Sequence, residues 1–277
     1  MRTLFFGTSD FAVPSLRVLA ERTALAGVVT QPDRPSGRGR RVTPSPVKAA
    51  AIALGLPVYQ PTTLRALQAG LAGDAFDLFA LASYGRLIPD WLLELPRLGS
   101  LNVHPSLLPA YRGATPIQTA LRNGERATGV TIMLMDAGMD TGDVVLQEPV
   151  TIDPGEDYGH LHDRLAEIGA GLLGGALELA ANGPLRATPQ AGEPTYTHPL
   201  GKDDLSIDWS WEPRRIVDAV RAYSPSPGAR AQLDGEIVKV LRAHVEDGRV
   251  EIDELIAPNR GRMSGAAYLR GRTSHER

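Results

Sequence analysis

The sequence contains no cysteine, and this absence excludes disulfide bonds, cysteine-ligated zinc sites and thiol nucleophiles. A chain without cysteine suits a reducing compartment, and we expect the protein to be cytoplasmic. Long apolar runs are missing too, since no stretch approaches the roughly 20 residues that a membrane-spanning helix needs. The opening residues, "MRTLFFGTSDFAVP", are too weakly apolar for a signal peptide and are expected to contain a buried first strand.

A strong charge of either sign is also absent, because the formal net charge is only −3. Global charge therefore gives no indication of a nucleic-acid partner, and any such site has to be a local basic patch. The length of 277 residues and the hydrophobic share of 43% are typical of a globular protein with one large domain or two unequal ones.

Short apolar runs alternate with helical patterns over residues 1–182. The segment "DLFALASYG" is almost continuously apolar, as is typical of a strand that is covered on both faces. This alternation predicts an α/β fold with a Rossmann-like, doubly wound and mostly parallel sheet. The last two strands, in "GVTIMLMD" and "GDVVLQEPVTI", are joined by a short turn, so that end of the sheet is expected to be antiparallel.

The composition changes near residue 184 and again near residue 206. Residues 1–183 are predicted to form the first domain, and residues 184–205 are rich in Pro, Gly and Thr without periodicity, which indicates a linker. Residues 206–277 combine a helix from about Pro213 with alternating segments broken by Asp-Gly turns. This pattern predicts a small β-barrel-like domain resembling an OB fold.

The stretch "LNVHPSLLPAYRGATP" places polar side chains where a strand ends. Asn102 and His104 are two residues apart, so both side chains point to the same face of the strand. Ligands of open α/β sheets bind beyond the carboxyl ends of the strands. An amide can donate to a developing oxyanion, and a histidine can exchange a proton near neutral pH. Alternatively, the two side chains only cap the loop by hydrogen-bonding to its backbone.

The stretch "MDAGMDTGDVV" lies between two predicted strands and holds the acids Asp136, Asp140 and Asp143. Such a loop can return a carboxylate over the edge of the sheet. The alternative is a plain surface turn, in which Asp and Gly are simply favoured.

The stretch "TQPDRPSGRGRRVTPSPVK" concentrates basic residues in a connection that is longer than usual. Its arginines are Arg34, Arg38, Arg40 and Arg41. Gly-spaced arginines suit a phosphate backbone, although a solvated charged loop would have the same composition. The first turn, "FGTSDFAVPSL", does not match G-x-G-x-x-G, so a dinucleotide site is only weakly supported.

Taken together, these stretches resemble the folate-dependent formyltransferases. "LNVHPSLLPAYRGATPIQ" followed by "TGVTIMLMDAGMDTGDVV" carries the resemblance to the family. "FGTSDFAVPSL", "VVTQPDRPSGRGRR", "PSPVK" and "SIDWS" narrow it to the branch that acts on methionyl initiator tRNA. The similarity extends over nearly the whole chain, and the motifs occur in the family's order.

The resemblance implies roles for particular residues. Asn102, His104 and Asp140 match the family's catalytic trio, and 10-formyltetrahydrofolate is the implied formyl donor, with no metal. The residues that it places against the folate are Tyr84, Gly85, Leu87, Ser106, Leu107, Leu108 and Pro109.

The resemblance also implies that the chain binds tRNA and acts as a monomer, with neither DNA nor a membrane as a partner. The arginine-rich stretch matches the insertion that engages the tRNA acceptor end, with Arg38 at the position of the family's important arginine. The small C-terminal domain matches the family's tRNA-binding barrel, but its sequence is shorter than the family pattern. We therefore expect a shortened barrel whose strand edges need covering, either by a second copy of the chain or by a compensating loop.

Two other functions share parts of this pattern. An N-formyltransferase for amino sugar nucleotides would have the same catalytic trio but would not need the arginine-rich loop. A non-catalytic folate- or RNA-binding protein would not need the intact Asn, His and Asp.

Overall fold

The computed structural model describes residues 1–36, 41–71 and 73–273, and the chain divides into two compact units. Unit 1 contains Met1–Gly113, Gly129–Val150 and Asp163–Tyr196, and unit 2 contains Ala114–Thr128, Thr151–His162 and the chain from Thr197 onwards. The units are thus built from interleaved segments, whereas the sequence predicts continuous domains.

Strands and helices follow the predicted alternation. The strands are β1 (Arg2–Gly7), β2 (Ala24–Val29), β3 (Arg34–Ser36), β4 (Arg41–Thr43), β5 (Val58–Tyr59), β6 (Leu78–Ala82), β7 (Ser100–His104), β8 (Arg112–Gly113), β9 (Ala127–Leu134), β10 (Asp143–Thr151), β11 (Tyr196–Thr197), β12 (Ala229–Leu233), β13 (Glu236–Glu246), β14 (Arg249–Ala257) and β15 (Gly261–Ser264). The helices are α1 (Val13–Arg22), α2 (Pro46–Ala53), α3 (Leu67–Leu71), α4 (Asp90–Leu93), α5 (Pro116–Arg122), α6 (Tyr158–Asn182), α7 (Pro213–Tyr223) and α8 (Gly265–Thr273). Helices α2, α5 and α7 begin at a proline, whose fixed φ suits a first helical position.

The large sheet has the strand order β10-β9-β7-β6-β1-β2-β5. Strands β5, β2, β1, β6 and β7 pair in parallel, whereas β9 runs antiparallel to β7. This confirms the predicted mostly parallel sheet with an antiparallel end. Because β6 and β7 are parallel, their carboxyl ends meet at one edge of the sheet, and His104 is the last residue of β7 there.

The core of unit 1 includes a cluster of aromatic rings. Phe6 contacts Phe79 with a centroid separation of 5.4 Å and meets the Tyr84 ring edge-on at 5.6 Å. Trp91 packs against the same cluster from its periphery. Burial of these rings stabilises β1 and β6 as neighbours at the centre of the sheet.

Unit 2 contains an antiparallel sheet in the order β12-β13-β14-β15, which confirms the small C-terminal β domain. β12 lies at an edge of this sheet, and another segment pairs with it: Arg230 donates its N–H to Leu205 O at 2.7 Å, and Ile207 donates to Arg230 O at 2.8 Å. Added backbone pairing of this kind protects an edge that would otherwise be exposed.

Helix α7 contributes a buried ion pair to unit 2. Arg221 Nε donates to Asp218 Oδ1 at 2.8 Å, and both side chains are less than one tenth exposed. Arg221 also donates to Leu121 O at 3.3 Å.

Trp91 lies in unit 1, and the other two tryptophans of the chain, Trp209 and Trp211, lie in unit 2.

Candidate active site

His104 lies at the carboxyl end of β7 and is almost completely buried, with 4% exposure. Its Nε2 is 3.1 Å from the backbone oxygen of Tyr111. A carbonyl oxygen only accepts hydrogen bonds, so Nε2 carries the hydrogen. In the neutral ring the other nitrogen, Nδ1, is then a hydrogen-bond acceptor.

Asp140 faces that nitrogen from the loop between β9 and β10. Its Oδ2 lies 3.6 Å from His104 Nδ1 and accepts a hydrogen bond from Gly113 N–H at 2.8 Å. The sequence predicted that this loop returns a carboxylate over the sheet edge, and the structure brings the carboxylate of Asp140 beside His104.

Asn102 completes the predicted trio on the same strand. It pairs in register with Leu81 of β6 and Met133 of β9, and its side chain is half-buried. Within the described residues, no group forms a hydrogen bond with its side-chain amide. A half-buried amide without a protein partner is well suited to donate to an oxygen of a bound substrate.

Asp136 and the glycines determine the shape of the loop that carries Asp140. Asp136 Oδ1 accepts from the Gly138 N–H at 3.0 Å and from the Thr141 hydroxyl at 2.6 Å. A Cβ at Gly142 would come within 1.9 Å of Leu134 O. The turn interpretation therefore describes Asp136, while Asp140 is directed at His104.

The segment after His104 is held by hydrogen bonds of its buried residues Ser106 and Leu108. The Ser106 hydroxyl donates to Ala110 O at 2.5 Å, and Ser106 is fully buried. Leu108 is buried as well, and its N–H donates to Thr131 Oγ1 at 3.2 Å. These two predicted folate residues thus use their polar groups inside the protein.

The remaining residues of the predicted folate set differ in exposure. Leu107 and Pro109 are half-exposed, and Leu87 is 76% exposed. Tyr84 has its ring in the core, and its hydroxyl has no hydrogen-bond partner among the described residues. Burial raises the pKa of the Tyr84 phenol, and the nearby Arg86 guanidinium offsets part of this rise. Gly85 has a φ of 78°, which favours glycine at this turn.

The arginine-rich stretch is described only in part. Arg38 and Arg40 lie outside the described residues, as does the side chain of Arg41. Arg34 is exposed, and its Nη2 donates to Gln31 Oε1 at 3.0 Å. Gln31 in turn donates its Nε2 to Tyr84 O at 2.8 Å, which ties the start of the stretch to the end of β6.

A polar cluster holds the base of this stretch. Lys48 Nζ donates to Asp33 Oδ2 at 2.5 Å and to Gln60 Oε1 at 2.7 Å. Gln60 Nε2 donates to Asp33 Oδ1 at 2.7 Å. The hydrogen bond from Lys48 holds the pKa of Asp33 below its usual value, so this ion pair is present at neutral pH.

Two residues that support the Asp140 loop have no signature in the sequence: Gln190 contacts the loop, and Arg112 contacts Gln190. Gln190, in the predicted linker, donates its Nε2 to Asp140 O and Gly142 O, each at 2.8 Å. Arg112 donates to the side-chain oxygen of Gln190. Gln190 lies 50 residues beyond Asp140 in a stretch without periodicity, so no local pattern could have identified it.

A separate cavity of about 640 Å³ lies wholly within unit 2. Its charged and histidine lining residues are Asp157, Arg214, Arg221, Arg242, His244 and Asp253. None of the residues that line it belongs to the predicted site.

Across the described parts of the chain, no three histidine or acidic side chains are grouped so that they could hold a metal ion. None of the helices described is sufficiently long and apolar to span a membrane.

Comparison with known proteins gives matches over almost the full length. A family described as "Formyl transferase" matches residues 1–177, and "Formyl transferase, C-terminal domain" matches residues 199–251. A methionyl-tRNA formyltransferase of Pelotomaculum thermopropionicum is 43% identical and is covered over 96% of its length by 98% of this chain. One from Xylella fastidiosa is 48% identical, over 88% of this chain and 80% of its own length.

A solved structure also has this fold. WlaRD, a sugar 3N-formyl transferase determined in the presence of dTDP and 5-N-formyl-THF, matches with a TM-score of 0.68 at 18% identity. The match covers 89% of this chain and 87% of that protein. At this identity the match concerns the architecture alone.

Proposed function

Because the chain belongs to the formyl transferase family, we propose that it moves a formyl group from 10-formyltetrahydrofolate to the α-amine of methionine esterified to initiator tRNA. The product is the formylmethionyl-tRNA that starts translation. The observation that carries the proposal is the His104–Asp140 pair, together with an Asn102 amide on the same strand as His104 that has no hydrogen-bond partner among the described residues. The full-length similarity to methionyl-tRNA formyltransferases supports the choice of acceptor.

Asn102 is assigned the role of oxyanion donor. When an amine attacks a formyl carbon, the formyl oxygen becomes negative, and a prepositioned amide N–H stabilises that charge. Asn102 meets this need because its side chain is half-buried and makes no hydrogen bond with the described residues. Removing one such donor typically costs about 10²- to 10³-fold in rate.

His104 and Asp140 are assigned the handling of the amine proton. Both ring nitrogens of His104 face protein oxygens, so its main contribution is to hold a fixed orientation beside Asp140. Asp140 receives the proton that the attacking nitrogen loses, either directly or through a water molecule. The tetrahedral oxyanion then collapses, the bond between the formyl carbon and N10 of the folate breaks, and the proton passes to N10, so that tetrahydrofolate leaves. An amine attacks without a covalent enzyme intermediate, which agrees with a chain that has no cysteine.

The folate would lie against the segment that follows β7. Leu107 and Pro109 offer a half-exposed apolar surface in the segment that follows Asn102 and His104. A flat heterocycle fits a surface of this kind. Tyr84, Gly85 and Leu87 would complete the proposed folate site, and the exposure of the Leu87 side chain supports a contact there.

The tRNA is assigned to the arginine-rich stretch and the small β domain. Arg34, Arg38, Arg40 and Arg41 would contact the acceptor end through its phosphates. Residues 1–183 would perform the formyl transfer, and residues 206–277 would bind the tRNA. Residues 184–205 would connect these two parts of the chain. We place the protein in the cytoplasm as a monomer.

The test offers the purified protein 10-formyltetrahydrofolate together with one of two acceptors. With methionyl initiator tRNA we expect formylation of the methionine, and with an amino sugar nucleotide we expect none. Formylation of the sugar alone would overturn the proposal in favour of an amino sugar N-formyltransferase.

A further inference from the structure

We infer that Gln190 is a positioning residue for the reaction: it holds the backbone of the Asp140 loop so that the Asp140 carboxylate faces His104. This inference rests on the proposed function, because it assigns Gln190 an effect on formyl transfer. It also gives the predicted linker a part in the active site.

The backbone of Asp140 needs external support. Its φ of 54° lies in the left-handed region, which is unfavourable for a residue with a side chain. Such a conformation persists only where surrounding contacts determine it. The contact with Gly113 holds the carboxylate end of Asp140, and Gln190 holds its backbone oxygen.

The side chain of Gln190 uses all its hydrogen-bonding capacity in this one place. Both hydrogens of Nε2 go to loop carbonyls, those of Asp140 and Gly142, at 2.8 Å each. Oε1 accepts from Arg112 Nε at 3.1 Å and from Arg112 Nη2 at 2.7 Å. An amide with two donors and two acceptor positions matches these four contacts one for one.

Arg112 determines the orientation of the amide. A guanidinium group only donates, so the oxygen of Gln190 must face it and the nitrogen must face the loop. Arg112 itself is held by the Tyr196 hydroxyl, which is 3.3 Å from its Nη1. The chain of contacts from Tyr196 through Arg112 and Gln190 therefore ends on the backbone of Asp140.

The same geometry makes replacement by Glu informative. Glu has the same length as Gln, but a carboxylate would put an oxygen against two carbonyl oxygens. The loop would be repelled rather than held, even though the contact with Arg112 is preserved. Asn keeps both amide functions but is one methylene shorter, so it should reach the loop only in part.

The experiment compares Gln190→Ala, Gln190→Glu and Gln190→Asn with the wild type in formylation of methionyl initiator tRNA. We expect kcat to fall about 10- to 100-fold in the Ala and Glu variants, because small misplacements of a reacting group have effects of this size. KM for both substrates should stay within about threefold, and Gln190→Asn should recover part of the loss. Thr188→Ala, in the same segment and exposed, is the matched control and should retain the wild-type kcat.

A double-mutant cycle separates positioning from general stabilisation. If Gln190 acts through Asp140, then Gln190→Ala should lower single-turnover formylation much less in the Asp140→Asn background than in the wild type. An equal loss in both backgrounds would overturn the inference, as would a Gln190→Ala enzyme whose kcat stays within about twofold of the wild type.

Folding and the proposed function have separate readouts. Circular dichroism and thermal unfolding establish that each variant is folded, and should Gln190→Ala fail, the isosteric Gln190→Glu carries the same cycle. If the wild type itself formylates no methionyl-tRNA, the proposed function has failed. An active wild type with an unaffected Gln190→Ala refutes only the positioning role.

Discussion

The carboxylate of Asp140 is placed so that one oxygen is engaged and the other is available. Oδ2 contacts Gly113 N–H and faces His104 Nδ1, whereas no described residue donates to Oδ1. We expect Asp140→Asn to lower kcat about 10²- to 10⁴-fold, because an amide cannot accept the proton of the amine. The tRNA affinity should remain nearly unchanged, as measured by filter binding alongside single-turnover kinetics.

Asp143 provides the matched control for Asp140. It lies in the same stretch at the start of β10 and is exposed, so Asp143→Asn changes the same charge without touching His104. Near-normal turnover is expected for this variant. Weakened tRNA binding with normal turnover in Asp140→Asn would contradict the role assigned to Asp140.

Among single residues, the sequence could predict those whose placement follows from strand geometry. Asn102 and His104 share a face because the side chains of a strand alternate. Gln190 and Arg112 were not reached, because their contact joins residues 78 positions apart and no periodic pattern links them. Tyr84 was predicted as a folate residue, but the sequence alone could not show that its ring packs against Phe6.

The loop between β9 and β10 depends on a glycine at position 142. A Cβ there would lie 1.9 Å from Leu134 O, a backbone atom that cannot yield by rotating. We expect Gly142→Ala to displace the Asp140 loop and to lower kcat about 100-fold. The measurement is steady-state formylation together with thermal unfolding.

Gly171 is the control for that substitution. It is exposed on α6 and has open space at its Cβ position, so Gly171→Ala should stabilise the protein by about 0.5–1 kcal/mol with no change in kcat. Equal activity of the two variants would mean that the loop accommodates a methyl group and that its shape does not limit the reaction.

The base of the arginine-rich stretch is a second element with its own prediction. Lys48 joins Asp33 and Gln60, and its removal leaves Asp33 without its main counter-charge. We expect Lys48→Met to raise KM for tRNA severalfold while kcat at saturating tRNA is maintained, because the arginines that follow lose their anchored start. Initial rates at varied tRNA concentration measure both quantities.

Arg17→Met tests whether loss of any cation would do the same. Arg17 is exposed on α1 in unit 1, so its replacement should leave KM for tRNA unchanged. A similar rise in both variants would indicate a general effect of charge. A Lys48→Met enzyme with a normal KM would show that the base of the stretch needs no anchor.

Elements were predicted well where periodicity is long or burial is continuous. Helix α6, with 25 residues, and the apolar strand β6 follow directly from such patterns. The pairing of residues 205–207 with β12 was not foreseen, because a short irregular segment has no signature of the strand edge that it covers. The sequence indicated that a shortened barrel needs its strand edges covered, but it did not indicate which segment pairs with β12.

For the whole molecule, ionisable groups define the pH range of stability. Hydrogen bonds from the Lys48 side chain, the Arg2 backbone, the Ser210 backbone and the Arg262 side chain lower the pKa values of Asp33, Asp77, Asp208 and Glu254, respectively. Lowered carboxyl pKa values contribute stability above the ordinary values of 3.8 and 4.5, and this contribution is lost as the pH falls through the lowered values.

At alkaline pH the stability falls as the pH rises, because the pKa values of two buried tyrosines are raised rather than lowered. Burial raises the pKa values of Tyr84 and Tyr223 above 10.0, so their contribution is complete below that pH and is lost as the pH rises through the raised values. We expect a plateau of the unfolding temperature between about pH 5 and pH 9, measured by calorimetry. Tyr84→Phe should weaken the alkaline decline. Because no described residue forms a hydrogen bond with its hydroxyl, the change in stability at pH 7 should be at most about 1 kcal/mol. An unchanged alkaline decline would contradict the assignment to Tyr84.

The division of the chain into two interleaved units could not be predicted from the sequence. Composition predicts a linker and a small β domain, but it cannot show that residues 114–128 and 151–162 join the C-terminal segment in one compact unit. Such grouping depends on contacts between distant residues, which local composition does not encode.

The positions of the three tryptophans have a practical consequence. Trp91 packs against the core of unit 1. Trp209 donates its indole N–H to Gln232 O at 2.9 Å, and Trp211 lies under the Arg215 guanidinium at 4.1 Å, both within unit 2. Each unit thus carries its own intrinsic fluorophore. In a Trp91→Phe variant, tryptophan emission would report only on the melting of unit 2. In a variant with both Trp209→Phe and Trp211→Phe, it would report only on unit 1. Neither experiment needs an attached dye.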